Sequence, residues 1–202
     1  MGGIAVRAKD GTIGILALLV ALWLVPSAVG AATEGVFEKS LSVSGTVDLD
    51  VTTGAGNIRV FNGKPGTVWI KGTIHARDHG GMSGAEKVRY LQSHLPIEQT
   101  GGSIRIGRIE NREVAQNVSI SYEIEVPAET RLVSKTGSGN QSVDGLRGSA
   151  EVSTGSGNIA VSNAGDQVRA STGSGDIELN NISSSVQAST GSGSIAEAPA
   201  LT

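Results

Sequence analysis

The pentads Thr136-Gly137-Ser138-Gly139-Asn140, Thr154-Gly155-Ser156-Gly157-Asn158, Thr172-Gly173-Ser174-Gly175-Asp176 and Thr190-Gly191-Ser192-Gly193-Ser194 recur every 18 residues without slippage. A fixed period means one structural unit repeated. In register, positions 132, 150, 168 and 186 are Leu, Ala, Val and Val, and positions 141, 159, 177 and 195 are Gln, Ile, Ile and Ile. Columns 143/161/179, 146/164/182 and 134/152/170/188 are also small or apolar, whereas Glu151, Arg169 and Gln187 share an outward column. Each unit therefore holds two short strands, joined by the Gly-Ser turn and by a second turn near Gly145, Gly165 or Ser183 to Ser185. That much backbone fits one rung of a flattened parallel β-solenoid, with rungs about 4.8 Å apart so that like residues sit above like. The turns then stack as a ladder, the glycines supplying positive φ. Antiparallel hairpins in a sandwich use strands of the same length, but they tolerate unequal loops; equal spacing favours stacked rungs over about 130–202.

Upstream, the same grammar is looser. Thr53-Gly-Ala-Gly-Asn57 followed by Ile58-Arg-Val60 reads as a divergent earlier rung. Short alternating runs from Phe37 to Arg77 are half-buried strands, and Val118 to Val126 is the clearest alternating strand in the chain. Ser83 with Glu86 three residues later predicts a capping box opening a helix over Ala85 to His94, with Val88 and Leu91 as its apolar stripe and Pro96 limiting its end. Ile97 to Ile109 predicts a hairpin turning at Gly101-Gly102.

Composition agrees with an all-β chain. Of 202 residues 29 are glycine and only 3% aromatic, which favours short strands and tight turns over long helices. The length suits one domain, here residues 33–202, and the absence of cysteine excludes a disulfide framework, a thiolate metal site and a lipidated cysteine. A formal net charge of −3 gives no reason to expect nucleic acid as a partner. Residues 1–32 read as a secretory signal: basic Arg7 and Lys9, an apolar run from Ile13 to Val25, then Pro26 and small residues to Ala32. That run is short of the roughly 20 residues a spanning helix needs, which favours cleavage after Gly30 or Ala32 over an uncleaved anchor; an uncleaved segment would be the chain's only membrane contact. Either way the remainder is exported.

The TGSGNI and TGSGDI repeats, the lead-in SYEIEVPAETRL (Ser121 to Leu132) and TGAGNIRVFNG upstream resemble the bacterial putative-adhesin domain family of exported β-strand-repeat proteins. The resemblance covers roughly Val36 to the C-terminus and implies an exported β-solenoid. The family defines no catalytic or ligand residues, so none carries over, and fold analogy alone does not establish function. Thr202 falls part-way through a rung, so Ala196 to Thr202, with Pro199 as a breaker, is either a minimal cap or the edge of a longer protein.

Candidate chemistry is sparse. Column 140/158/176/194 is Asn, Asn, Asp, Ser, so Asp176 is its one carboxylate; calcium repeats need an oxygen ligand in successive turns, which makes a structural turn ladder the better reading. His75, His79 and His94 lack a convergent third ligand, which zinc requires. Repeated Gly-Ser-Gly without repeated histidine is turn chemistry and not a hydrolase nucleophile, and no P-loop lysine follows. The sequons at Asn117 and Asn181 are expected by chance in a Ser-rich chain. Glu151, Asp166, Glu178 and Glu197 share no column, which disfavours a carbohydrate-active β-helix enzyme. The chain therefore reads as a non-enzymatic adhesin-like module with no cofactor, presenting polar rows to a surface, glycan or envelope protein. An accessory role in envelope stress sensing is the alternative.

Overall fold

The computed structural model describes residues 32–198. The signal expected over 1–32 lies outside the described residues except for Ala32, as does the terminal segment from Pro199.

Alternating sequence becomes alternating burial. The strands are β1 (Thr33–Ser42), β2 (Val47–Ala55), β3 (Ile58–Asn62) and β4 (Thr67–Ala76), then, after helix α1 (Gly84–Ser93), β5 (Ile97–Thr100) and β6 (Ser103–Ile106). A one-turn helix α2 (Arg112–Ala115) precedes β7 (Val118–Val126) and β8 (Thr130–Ser138). The repeats supply β9 (Gln141–Asp144), β10 (Ala150–Ser156), β11 (Ile159–Ala164), β12 (Val168–Ser174), β13 (Ile177–Ile182), β14 (Val186–Ser192) and β15 (Ile195–Ala198). In β4 every second residue, from Val68 to Ala76, is buried, and β7 does the same from Ile120 to Val126.

Two mixed sheets face each other across this apolar layer. One runs β1-β4-β7-β3-β9-β11-β13-β15, the other β14-β12-β10-β8-β2-β6-β5. Within the repeats every pairing is parallel and joins residues 18 apart: Leu132↔Ala150↔Val168↔Val186 on one sheet, Gln141↔Ile159↔Ile177↔Ile195 on the other. The inward columns are the apolar ones, and a one-residue slip would turn each of them to solvent. The divergent motif takes its place in the same stack. Thr53 pairs with Thr136 and Ile58 with Gln141, so β2 and β3 lie beside β8 and β9 in parallel register.

On the far side of β2 and β3 the stack continues with β6 and β7, also parallel, with Leu49↔Ile104 and Ile58↔Tyr122. The order in space thus differs from the order in sequence: β7 leads into β8 across the intervening β2–β3 layer. Beyond β6 and β7 the strands turn antiparallel, β5 on β6 and β4 then β1 on β7.

Helix α1 closes that end. Ser83 and Glu86 form the capping box the sequence predicts, and the Ser83 N–H and hydroxyl hold the Glu86 carboxyl below its ordinary pKa. The helix runs one residue earlier at each end than expected, because Gly84 already sits against Ala76 and its N–H donates to Asp78 Oδ1 (2.7 Å). Val88 and Leu91 are buried as the spacing requires, but so is Lys87. Its ammonium donates to the carbonyls of Arg77 (3.1 Å) and Gln116 (2.7 Å), tying α1 to the chain that enters β7.

Candidate interaction surfaces

The Gly-Ser turns form one narrow edge of the stack, and two sets of side-chain bonds hold them in step. The hydroxyls of Thr154 and Thr172, both buried, and of the half-buried Thr190 donate to the carbonyls of Gly139 (3.1 Å), Gly157 (2.9 Å) and Gly175 (2.9 Å) in the neighbouring turn. Side-chain oxygens at the last pentad position accept from the next turn's backbone: Asn158 N–H to Asn140 Oδ1 (2.8 Å), Asp176 N–H to Asn158 Oδ1 (2.9 Å), Ser194 N–H to Asp176 Oδ1 (2.8 Å). Thr136 and Asn57 extend both rows into the divergent layer, Thr136 donating to Gly56 O (3.2 Å) and Asn57 Oδ1 accepting from Asn140 N–H (2.9 Å).

The two glycines of each pentad serve different needs. Gly139, Gly157, Gly175 and Gly193 have φ between +144° and +151°, as the ladder predicts. Gly137, Gly155, Gly173 and Gly191 do not have positive φ. They are glycine because a Cβ would lie 2.5–2.6 Å from the carbonyl oxygen of the turn below. Positive φ in the second turns falls on Gly145 and on Asn163 and Asn181, whose side chains bond to each other at 2.6 Å.

Asp176 thus spends an oxygen on the turn ladder. No group of three or more His, Asp or Glu side chains able to hold a metal occurs among the described residues. His75 Nδ1 lies 3.2 Å from Glu34, His79 bridges to Met82 in the loop, and His94 stacks on Tyr90 at 4.5 Å, so the three do not converge.

The outer face of the seven-stranded sheet is a second polar surface. Side chains two apart on each strand form rows across it: Asp50, Val133, Glu151, Arg169 and Gln187 in one, Asp48 and Arg131 in the next. Arg169 Nε donates to Gln187 Oε1 (2.6 Å) along the row, and Arg131 meets Asp48 at 3.3 Å. Both members of the Arg131–Asp48 pair are more than half exposed, which leaves them available to a ligand at little cost. Between the rows runs a shallow groove of about 400 Å³, lined by Asp48, Asp50, Arg105, Arg131, Glu151 and Arg169. Only the Glu151–Arg169–Gln187 column was visible in the repeats. Arg105 and Asp50 join this surface through β6 and β2, which the 18-residue period does not reach.

No family model matches the chain, and no curated protein matches it in sequence. Among solved structures, one described as a putative cell adhesion protein from Clostridium sporogenes superposes with a TM-score of 0.52 at 12% identity, over 83% of this chain and 100% of that one. The chain shares that protein's fold. The resemblance to bacterial putative adhesins read from the repeats therefore holds at the level of fold. A putative lipid binding protein from Parabacteroides distasonis (TM-score 0.39, 16% identity, 80% of this chain and 73% of that one) and a putative adhesin from Bacteroides fragilis (0.26, 12%, 81% and 97%) are more distant, and neither superposes closely enough to bear on the fold.

Proposed function

We propose that residues 33–202 form one exported, non-enzymatic, adhesin-like module, in which the chain from about 130 is a flattened parallel solenoid of 18-residue rungs. The observation that carries this reading is the register: parallel partners 18 apart on both sheets, with the turn residues hydrogen-bonded rung to rung. Such a stack is a rigid scaffold that sets outward side chains at one repeated spacing. Rows of Arg, Asp, Glu and Gln on the outer face suit a polar, repeating ligand, such as a glycan or envelope polymer, held by many weak contacts that add up. Export rests on the reading of residues 1–32 as a signal.

The test is binding of the full chain to whole cells, peptidoglycan and a glycan array, beside a variant carrying Arg131→Ala, Glu151→Ala and Arg169→Ala. Saturable binding that the triple variant loses supports the reading. No binding to any of the three, or undiminished binding by the variant, contradicts it.

A further inference from the structure

Charge alternates in sign, strand by strand, across the outer face of the seven-stranded sheet. In the order β5-β6-β2-β8-β10-β12 the charged side chains are Glu98, then Arg105, then Asp48 and Asp50, then Arg131 and Lys135, then Glu151, then Arg169. Each strand carries one sign only, and each neighbour carries the other. The pairing draws Glu98, Arg105, Asp50, Glu151 and Arg169 into a single row; where that row crosses β8 it meets Val133, with Arg131 and Lys135 two positions to either side. The pattern crosses from the repeats into the irregular half, so the 18-residue period does not produce it.

Opposite charges on neighbouring strands stabilise a sheet when they pair. Most of these do not close on one another. Among the described residues, only Arg131–Asp48 at 3.3 Å and Lys135–Glu151 at 4.0 Å come within ion-pair distance on this face. Arg169 bonds Gln187 instead of Glu151, and Glu98, Arg105 and Asp50 take part in no ion pair within 4.0 Å. All of these side chains are exposed except the half-buried Glu151. The groove of about 400 Å³ is lined from β6 to β12, so it runs across the strands, in the direction along which the sign alternates.

We propose that this groove binds a zwitterionic glycan, one whose successive sugar units carry a carboxylate and an amino group in turn; the proposal rests on the reading of this face as the ligand surface. Strands lie about 4.8 Å apart, so opposite charges recur at that interval and like charges at about 9.6 Å. The shorter interval matches the length of one sugar unit in an extended chain. Four such intervals separate Arg105 on β6 from Arg169 on β12. Ligand carboxylates then meet Arg105, Arg131 and Arg169, while its ammonium groups meet Asp50 and Glu151. A glycan with carboxylates alone, on every second sugar, suits the arginines but leaves both acids unmatched. A glycan with an amine on every sugar sets half its charges against arginines, and opposed like charges cost affinity. The six strands carry four acidic and four basic side chains, so the face has no net charge with which to draw a polyion of either sign.

The experiment measures binding of the full chain to three labelled oligomers of equal length: hyaluronan, chitosan, and hyaluronan stripped of its N-acetyl groups. Mildly acidic buffer keeps the amines protonated and the carboxylates ionised. The stripped hyaluronan, which alternates carboxylate and ammonium from sugar to sugar, is expected to bind at least tenfold tighter than either of the others. A second arm exchanges two signs, Glu151→Arg with Arg169→Glu. That variant keeps the net charge and keeps opposite charges on β10 and β12, but it breaks the alternation against β8. It is expected to lose at least tenfold in affinity for stripped hyaluronan while its thermal unfolding shows it folded; unchanged affinity would mean the charges serve the sheet alone and would overturn the proposal. The ranking of the three oligomers on the unmutated chain decides the matter even if the variant fails to fold. Hyaluronan or chitosan binding as tightly as the stripped form overturns the zwitterionic ligand and leaves the glycan-binding face standing. Binding to none of the three also overturns it, and the assays on cells and peptidoglycan then show separately whether the face has a ligand of another kind.

Discussion

From Thr130 on, each new layer of the stack takes 18 residues; between β3 and β8 the chain spends most of 67 residues before it returns to lie beside its own Thr53. Yet the bonds across the two kinds of junction are the same. Asn140 N–H reaches Asn57 Oδ1 at 2.9 Å where the partners are 83 positions apart, and Asn158 N–H reaches Asn140 Oδ1 at 2.8 Å where they are 18 apart. Layer order is therefore decided by which columns match and not by how soon the chain comes round. The regular half relies on turn geometry, whereas the interrupted half relies on particular side chains that tie its excursions down.

The sharpest way to break the regular half is at a turn glycine. Gly157→Ala puts a Cβ 2.1 Å from Gly139 O at φ +146°, against the backbone of the turn below, and is expected to cost about 3 kcal/mol, or roughly 10 °C in Tm by calorimetry. Gly45→Ala is the control in the interrupted half. Its φ is +73° but nothing lies within 4 Å, so about 1 kcal/mol is expected. Equal losses at the two sites would mean the turn ladder has no special role.

Lys87→Met should break the other half. It keeps the aliphatic volume but strips the carbonyls of Arg77 and Gln116 of their donor, for about 2 kcal/mol. In hydrogen exchange the loss of protection is expected over residues 77–94 while β10 to β13 stay protected; uniform loss would show the two halves to be one cooperative unit.

Gln141 sharpens the boundary between them. It interrupts an isoleucine column, and its buried amide accepts from Ser134 Oγ and donates to Ser153 O. Gln141→Ile alone strands the Ser134 hydroxyl and is expected to cost about 1–2 kcal/mol. Ser134→Val with Gln141→Ile restores the repeat chemistry, and the double-mutant cycle is expected to return close to wild-type stability. The smallest effect should be a gain. Tyr122 is buried with no partner for its hydroxyl, and burial pushes its pKa well up. Tyr122→Phe is expected to stabilise by about 1 kcal/mol in urea unfolding.

The repeats made the C-terminal pairing legible, because four copies of a column reveal which face is inward. The motif at Thr53 was legible for the same reason, since its turn residues were kept. The layer formed by β6 and β7 was not. Leu49 and Ile58 are nine residues apart, as are Leu132 and Gln141, but their partners Ile104 and Tyr122 are 18 apart, because the excursion through α2 stands where the Gly-Ser turn would be. Without the turn motif nothing marks β6 and β7 as a layer. Lys87 was hidden for a different reason: helical spacing assigns a lysine to solvent, and only the arrival of two carbonyls from distant segments makes its burial tolerable. The outward rows were legible as a column of three and became a surface only when β2 and β6 supplied the rest.

The most direct test of the parallel, in-register stack is paramagnetic broadening from a nitroxide on Glu151→Cys, in a chain with no other cysteine. Amides of Val133 and Arg169, one strand away on either side, should broaden equally, and those of Asp50 and Gln187, two strands away on either side, equally and less. An unaffected Asp50, or strong broadening at residues that antiparallel pairing would bring to position 151, would contradict the account.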